Sequence, residues 1–198
     1  MDKISLLYDH YKETCSTISD AIKRRDRLML LLVVTLGFFA FQAIFPEVSD
    51  TVVNDFLHFK FGLSPKFDFR VIGNVVWFLV LVFTTRYFQI SIYIERQYKY
   101  VHKIEDKLNK LLGDELITRE GKNYLNKYTL FSNWMWALYT IIFPLLLLSV
   151  VLTKIFAELK LVCTSGWSYS LFLDTTSFLF LVISVTLYLL MIHRTSKN

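Results

Sequence analysis

The residue types most able to do chemistry in this chain are a few charges and hydroxyls set in long apolar blocks. Arg86 ends the uncharged run that begins at Val71, fifteen residues earlier. At helical rise that distance is about 22 Å, roughly 7 Å short of the far edge of a ~30 Å hydrocarbon layer. An arginine stem covers such a gap by snorkelling, which avoids the full midplane cost of about 2.5 to 3.5 kcal/mol. The leading expectation for Arg86 is therefore an interfacial anchor. A sharper one puts Thr84, Thr85 and Arg86 on the wall of a water-filled or anion-accepting inner vestibule of an oligomer, with Asn74 and Gln89 on the same face. Asn74 and Gln89 serve equally as hydrogen-bonding groups toward a neighbouring helix.

Asp174 lies four residues after Ser170, where the last apolar run starts, and so reads as an N-cap or first-turn acid stabilised by unpaired N–H groups and the helix dipole. The competing expectation is an ion site. His102 and Glu105 stand at i and i+3, a spacing used by metal ligands, but no second pair completes a site and a solvated surface pair is the expectation. The interleaved cations and aromatics Arg96, Tyr98, Lys99, His102 and Lys103, followed by Arg119 and Lys122, suit anionic lipid or an acidic partner surface. Direct contact with nucleic acid is disfavoured, because basic residues in a membrane protein first report orientation. The sequence holds no G-x-S-x-G, no H-E-x-x-H, no Gly-rich phosphate loop and no paired intramembrane carboxylates, so neither enzyme, cofactor nor metal is expected.

What must position these groups is a set of membrane crossings. Apolar residues make up 54% of the 198 and aromatic residues 17%, and they are concentrated in blocks. Four spans are expected, at about 28–45, 71–90, 134–153 and 170–192. The first follows Lys23, Arg24, Arg25 and Arg27 and is closed by Pro46. A polar stretch precedes it and no small-residue cleavage site follows, so it is not a removable signal peptide. Residues 46–70 suggest a short amphipathic helix on the outer leaflet, with Val48, Val52, Val53, Phe56 and Leu57 on one face, then a turn at Gly62, Ser64 and Pro65. Pro144 falls within the third span, where it deprives the Thr140 carbonyl of its helical donor and predicts a kink. Ser132 or Asn133 is the expected cap of that span, and residues 154–169 a short outer loop.

Two polar stretches carry 3.5-residue seams. Ile4, Tyr8, Tyr11, Cys15, Ile18 and Ile22 mark a cytosolic helix over 4–26. Ile90, Ile94, Gln97, Val101, Ile104, Leu108 and Leu111 mark a charged rod that continues the second span, with Gly113 as its C′ cap. The two run in opposite senses and pair as an antiparallel hairpin within the chain, or the rod serves as a coiled-coil seam between subunits. Residues 91–132 form the rod and a return segment, with a short helix after Thr118. Lys and Arg number 6 in the N-terminal segment, 9 over 86–133 and 2 in the C-terminal tail, against 3 and 2 in the opposite loops. The positive-inside rule then places both termini and the rod in the cytosol. Cys15 and Cys163 fall on opposite sides and do not pair. With no repeat or linker, the whole chain, 1–198, is expected to be a single all-α membrane domain.

Over residues 4–112 the order of cytosolic helix, span, outer loop, span and charged helix resembles SLATT-type membrane effectors, which implies pore formation in bacterial defence. The full four-span chain, with Ile94-Glu95-Arg96-Gln97-Tyr98-Lys99-Tyr100-Val101-His102 and Arg119-Glu120-Gly121-Lys122-Asn123-Tyr124-Leu125, more closely resembles the KwaA-type membrane subunits of Kiwa anti-phage systems. That resemblance implies a homo-oligomeric inner-membrane sensor that couples an envelope event to a cytosolic, DNA-binding partner. The alternative expectation is a pore or channel that depolarises the membrane on activation.

Overall fold

A computed structural model describes residues 3–62, 69–113, 117, 130–165 and 169–196. The chain is an all-α, four-span membrane protein: four of its helices are long and apolar enough to cross a membrane. Helix α1 runs Lys3–Ile44, α2 Pro46–Phe61 and α3 Phe69–Leu112. Helix α4 covers Leu130–Ala137 and passes into a π-helical segment, Leu138–Ile142, which α5 (Phe143–Ser165) continues; α6 is Tyr169–Ser196. The outward sides of the crossings carry large apolar residues, including Val34, Phe78, Phe156, Phe180 and Leu187, all more than 45% exposed. In water such a surface would be an aggregation hazard; in lipid it is the solvent contact.

The expected cytosolic helix and first span are one element, because no Gly-Pro or turn signal separates Arg27 from Leu28 and nothing breaks α1 there. Its end is enforced by Pro46, which starts α2 within its first turn, where its missing N–H costs nothing. α2 is the expected amphipathic helix, with Val48, Val52 and Phe56 exposed on one side. It closes on Gly62, whose φ of 62° is the left-handed conformation that glycine adopts without steric cost, and Gly113 closes α3 in the same way at 76°. Ser132 and Asn133 lie within α4 rather than capping it. At its other end α5 runs on to Ser165, and most of the loop expected over 154–169 is helix. The short helix expected after Thr118 falls outside the described residues.

The chain divides into two compact units: Met1–Met29 with Arg86–Tyr139, and Leu30–Thr85 with Thr140–Asn198. In the first, the early part of α1 packs on the later part of α3. Tyr11, Ile18, Val101, Ile104 and Leu108 form a buried core, flanked by Leu7, Cys15, Ile22, Tyr98 and Ile117. The seam on α3 is thus filled within the chain at Val101, Ile104 and Leu108, with Ile94 also buried, Ile90 and Gln97 half-buried, and Leu111 left 56% exposed. On α1 it is Leu7 that joins the core, while Tyr8 is 50% exposed. A straight helix drifts away from a strict 3.5-residue repeat, so a seam drawn on that repeat loses its end members first.

The second unit holds α2, α5 and α6 with the remaining parts of α1 and α3. Phe39, Val76, Trp77, Val80, Leu147, Val151, Leu181 and Val185 are buried there, and the Phe39 and Trp77 rings meet edge to face at 4.7 Å.

Candidate functional site

The second unit contains a group of ionisable side chains that neighbouring helices shield from lipid. On α5, Lys154 and Glu158 are one turn apart, which brings Nζ to 3.3 Å from Oε1, each side chain with 14% of its surface exposed. α3 adds Trp77, fully buried, whose indole Nε1 donates to the same Glu158 Oε1 at 3.2 Å. α1 adds Phe39, whose ring centroid lies 5.6 Å from Lys154 Nζ. α6 adds Asp174, 5% exposed and close enough to interact electrostatically with both Glu158 and Lys154. Near the start of the same helix, the Ser170 hydroxyl donates to Asn74 Oδ1 of α3 at 2.7 Å. Charged and polar groups from α3, α5 and α6, with the Phe39 ring of α1, therefore converge at the end of the bundle where α5 finishes and α6 begins.

Each contact has a physical reason. A carboxylate in an apolar bundle costs several kcal/mol unless paired, and Glu158 finds both a cation and an N–H donor. The Lys154 stem runs along the bundle and its head lies against the negative face of an aromatic ring, a second favourable term in a desolvated place. Phe178 extends the apolar wall, 6.4 Å from Trp77 between ring centroids. Two acceptors remain: Glu158 Oε2 and Gln42 Oε1 are buried with no hydrogen-bond partner.

Asp174 is neither a cap nor a first-turn acid. α6 begins at Tyr169, its first turn holds no acidic residue, and Asp174 is the sixth residue of the helix. Lys154 and Glu158, expected in the outer loop, come within electrostatic reach of Asp174 because α5 continues through them. Their i, i+4 spacing, immediately after an apolar run with no Gly or Pro between, was the available signal that the helix continues.

The residues expected to line an inner vestibule are not brought to one face. Thr84 is fully buried and its hydroxyl has no hydrogen-bond partner, Thr85 bonds back to the Leu81 carbonyl at 2.7 Å, and Arg86 is exposed and reaches Gln89 Oε1 at 3.4 Å. Consecutive helical residues point about 100° apart, so a run of three cannot share a wall.

Pro144 is buried, and the five residues before Phe143 are π-helical. A π turn directs each N–H to the carbonyl five residues back, so the distortion is the one a residue without an N–H imposes on a helix it does not end.

On the first unit, His102 and Glu105 are not the solvated surface pair expected, because Glu105 points inward. It is 3% exposed and accepts a hydrogen bond of 2.9 Å from the Tyr11 hydroxyl across the helix pair. Burial, and then the adjoining carboxylate, pushes the Tyr11 hydroxyl above the ordinary phenol range. His10 Nε2 and the Tyr100 hydroxyl meet at 2.9 Å as a second cross-helix stitch. Of the expected partner or lipid surface, Arg96, Lys99 and Lys103 are exposed along one side of α3, His102 is half-buried and Tyr98 packs into the core. Arg119 and Lys122 lie outside the described residues.

Compared with protein-family models, curated proteins and solved structures, the chain matches none.

Proposed function

We propose that this chain is an inner-membrane coupling subunit of a bacterial anti-phage defence system. Both termini and the α1–α3 pair face the cytosol, and the α5–α6 end of the second unit faces the envelope. The observation that carries the proposal is that α3 is one helix of 44 residues. It contributes Trp77 to the buried ionisable group and Val101, Ile104 and Leu108 to the polar-stitched pair with α1. A displacement of the crossing meets no break in that helix before Leu112 at which it would be absorbed. The partner is a cytosolic protein, DNA-binding as the Kiwa-type resemblance implies, which reads the exposed cationic side of α3 at Arg96, Lys99 and Lys103. Assembly is homo-oligomeric, through lipid-facing apolar surfaces of the crossings, since the α3 seam is occupied within the chain.

The test has three parts. Protease on sealed inside-out vesicles should cut at Lys103 and spare Lys60; the reverse pattern would invert the orientation and remove the cytosolic partner. Two differently tagged copies should co-purify in detergent, and strictly monomeric material ends the oligomer claim. The gene with its neighbours should lower phage plating in a sensitive host, and a Gly-Gly replacement at Tyr93 and Ile94 should abolish that protection while membrane insertion persists. Full protection by the interrupted helix would refute coupling through α3.

A further inference from the structure

We propose that the cationic side of α3 is a docking strip for one acidic amphipathic helix of the cytosolic partner, with that helix's carboxylates facing it at three- and four-residue spacing. The inference rests on the partner assigned under the proposed function and names the chemistry of its docking segment. Arg96, Lys99, Lys103, Lys107 and Lys110 follow one another at steps of three, four, four and three residues, and all five are exposed. At about 100° per residue they fall within an arc of about 80°, and no other residue between 96 and 110 falls inside it. The strip is about 21 Å long. Among the described residues, Arg96, Lys103, Lys107 and Lys110 form no ion pair. Like charges three and four residues apart repel along a helix, and a facing row of carboxylates turns that repulsion into attraction.

The borders of the strip decide what covers it. Along one edge stand Tyr93, Tyr100 and Leu111, all exposed, and along the other the exposed Asp106 and the half-buried Glu95. A helix whose acids adjoin apolar residues satisfies the cations and the first edge together, as flanking ion pairs accompany an apolar seam in a coiled coil. A phosphate backbone gains nothing from Leu111 and is repelled at Asp106. Anionic lipid is too far away. Counted along the unbroken α3 from Arg86, where the uncharged run ends, Lys103 lies at about 26 Å and Lys110 at about 36 Å. The field of a charged bilayer surface decays over about 8 Å at physiological ionic strength.

The full-length protein in neutral-lipid nanodiscs is titrated, at physiological ionic strength, into three fluorescent probes. The first is a helical peptide of about three heptads whose glutamates repeat at the steps of the strip beside a row of leucines. The second has the same residues scrambled around the helix, and the third is a DNA duplex of equal charge. The patterned peptide should bind about tenfold or more tighter than either other probe. K103E/K107E should remove that preference, whereas K12E/K23E, the same charge change at exposed positions of α1, should keep it. Equal binding of the two peptides, tighter binding of the duplex, or equal losses in the two variants overturns the proposal. Phage plating with K103E/K107E separates this inference from the function it rests on. Lost protection without a peptide preference removes the acidic helix and leaves coupling standing; a peptide preference in a native chain that never protects removes coupling and leaves the strip.

Discussion

The hydroxyl of Tyr87 donates to the main-chain carbonyl of Tyr139 at 3.0 Å. Tyr139 lies five residues before Pro144, and in the π-helical segment that carbonyl is the one position 144 would address if it had an N–H. Tyr87 is 1% exposed, so the bond is sheltered, and a side chain of α3 supplies the donor that the proline withholds. Pro144 predicts a kink from its position alone; the donor that Tyr87 supplies from α3 has no signature in the local sequence.

Tyr87→Phe removes the donor and keeps the ring. We expect a loss of about 1 to 2 kcal/mol in thermal or denaturant unfolding in detergent. In a Pro144→Ala background the helix regains its own N–H, and the same substitution should cost much less. Equal costs in the two backgrounds, measured as a double-mutant cycle, would show that the hydroxyl and the proline are unrelated.

Tyr11→Phe removes the cross-helix donor to the buried Glu105 carboxyl. The helix pair of α1 and α3 should lose about 1 to 3 kcal/mol, read as faster amide exchange at Ile18 and Val101. Because the Tyr11 phenol holds its proton more firmly in the folded chain, the stability it contributes is whole below the unfolded value of about 10 and is lost as pH rises beyond it. The wild-type pair should therefore loosen in strong alkali at a lower pH than the Phe variant does, relative to the neutral-pH stability of each; identical alkaline profiles would remove this role for Tyr11.

Glu158→Leu removes the ion pair with Lys154 and the acceptor of the Trp77 indole, and should cost about 3 to 5 kcal/mol. The double replacement K154L/E158L removes the buried pair together and should recover much of that loss. A double variant as unstable as the single one would show that packing, and not charge, holds α5 in place.

Asn109 grips Ile117 at two points: its Nδ2 donates to the Ile117 carbonyl at 2.8 Å and its Oδ1 accepts from the Ile117 N–H at 2.9 Å. Only a primary amide of this length offers both groups at once. Asn109→Asp keeps the acceptor and loses the donor, and Asn109→Ala loses both. Exchange at the Ile117 amide should rise in that order, and an unchanged rate in the alanine variant would mean that the grip adds nothing.

The four crossings were legible because uncharged blocks of that length admit little else, and α2 because Pro46 and Gly62 bracket an amphipathic run. The buried side of the α1–α3 pair was legible at Ile18, Val101, Ile104 and Leu108, where periodicity alone decides. What escaped inspection was every position whose meaning depends on a partner distant in sequence. Lys154 and Glu158 look like the exit from a membrane until Trp77 and Asp174 are known to meet them. Glu105 looks solvated until Tyr11 is found across from it. A charge is assigned to water by default, and only tertiary structure shows when that default fails.

Helix α6 has 28 residues, about 42 Å of rise, against ~30 Å of hydrocarbon. Its length therefore exceeds the slab it crosses by about 12 Å, and the excess is taken up by leaning or by protruding. Asp174, on the sixth residue, meets its neighbours near one end, and Val185 and Tyr188 are buried further along. Acyl-chain length of the surrounding phospholipid thus becomes a mechanical variable for this helix: shorter tails demand more lean, and longer tails draw it upright.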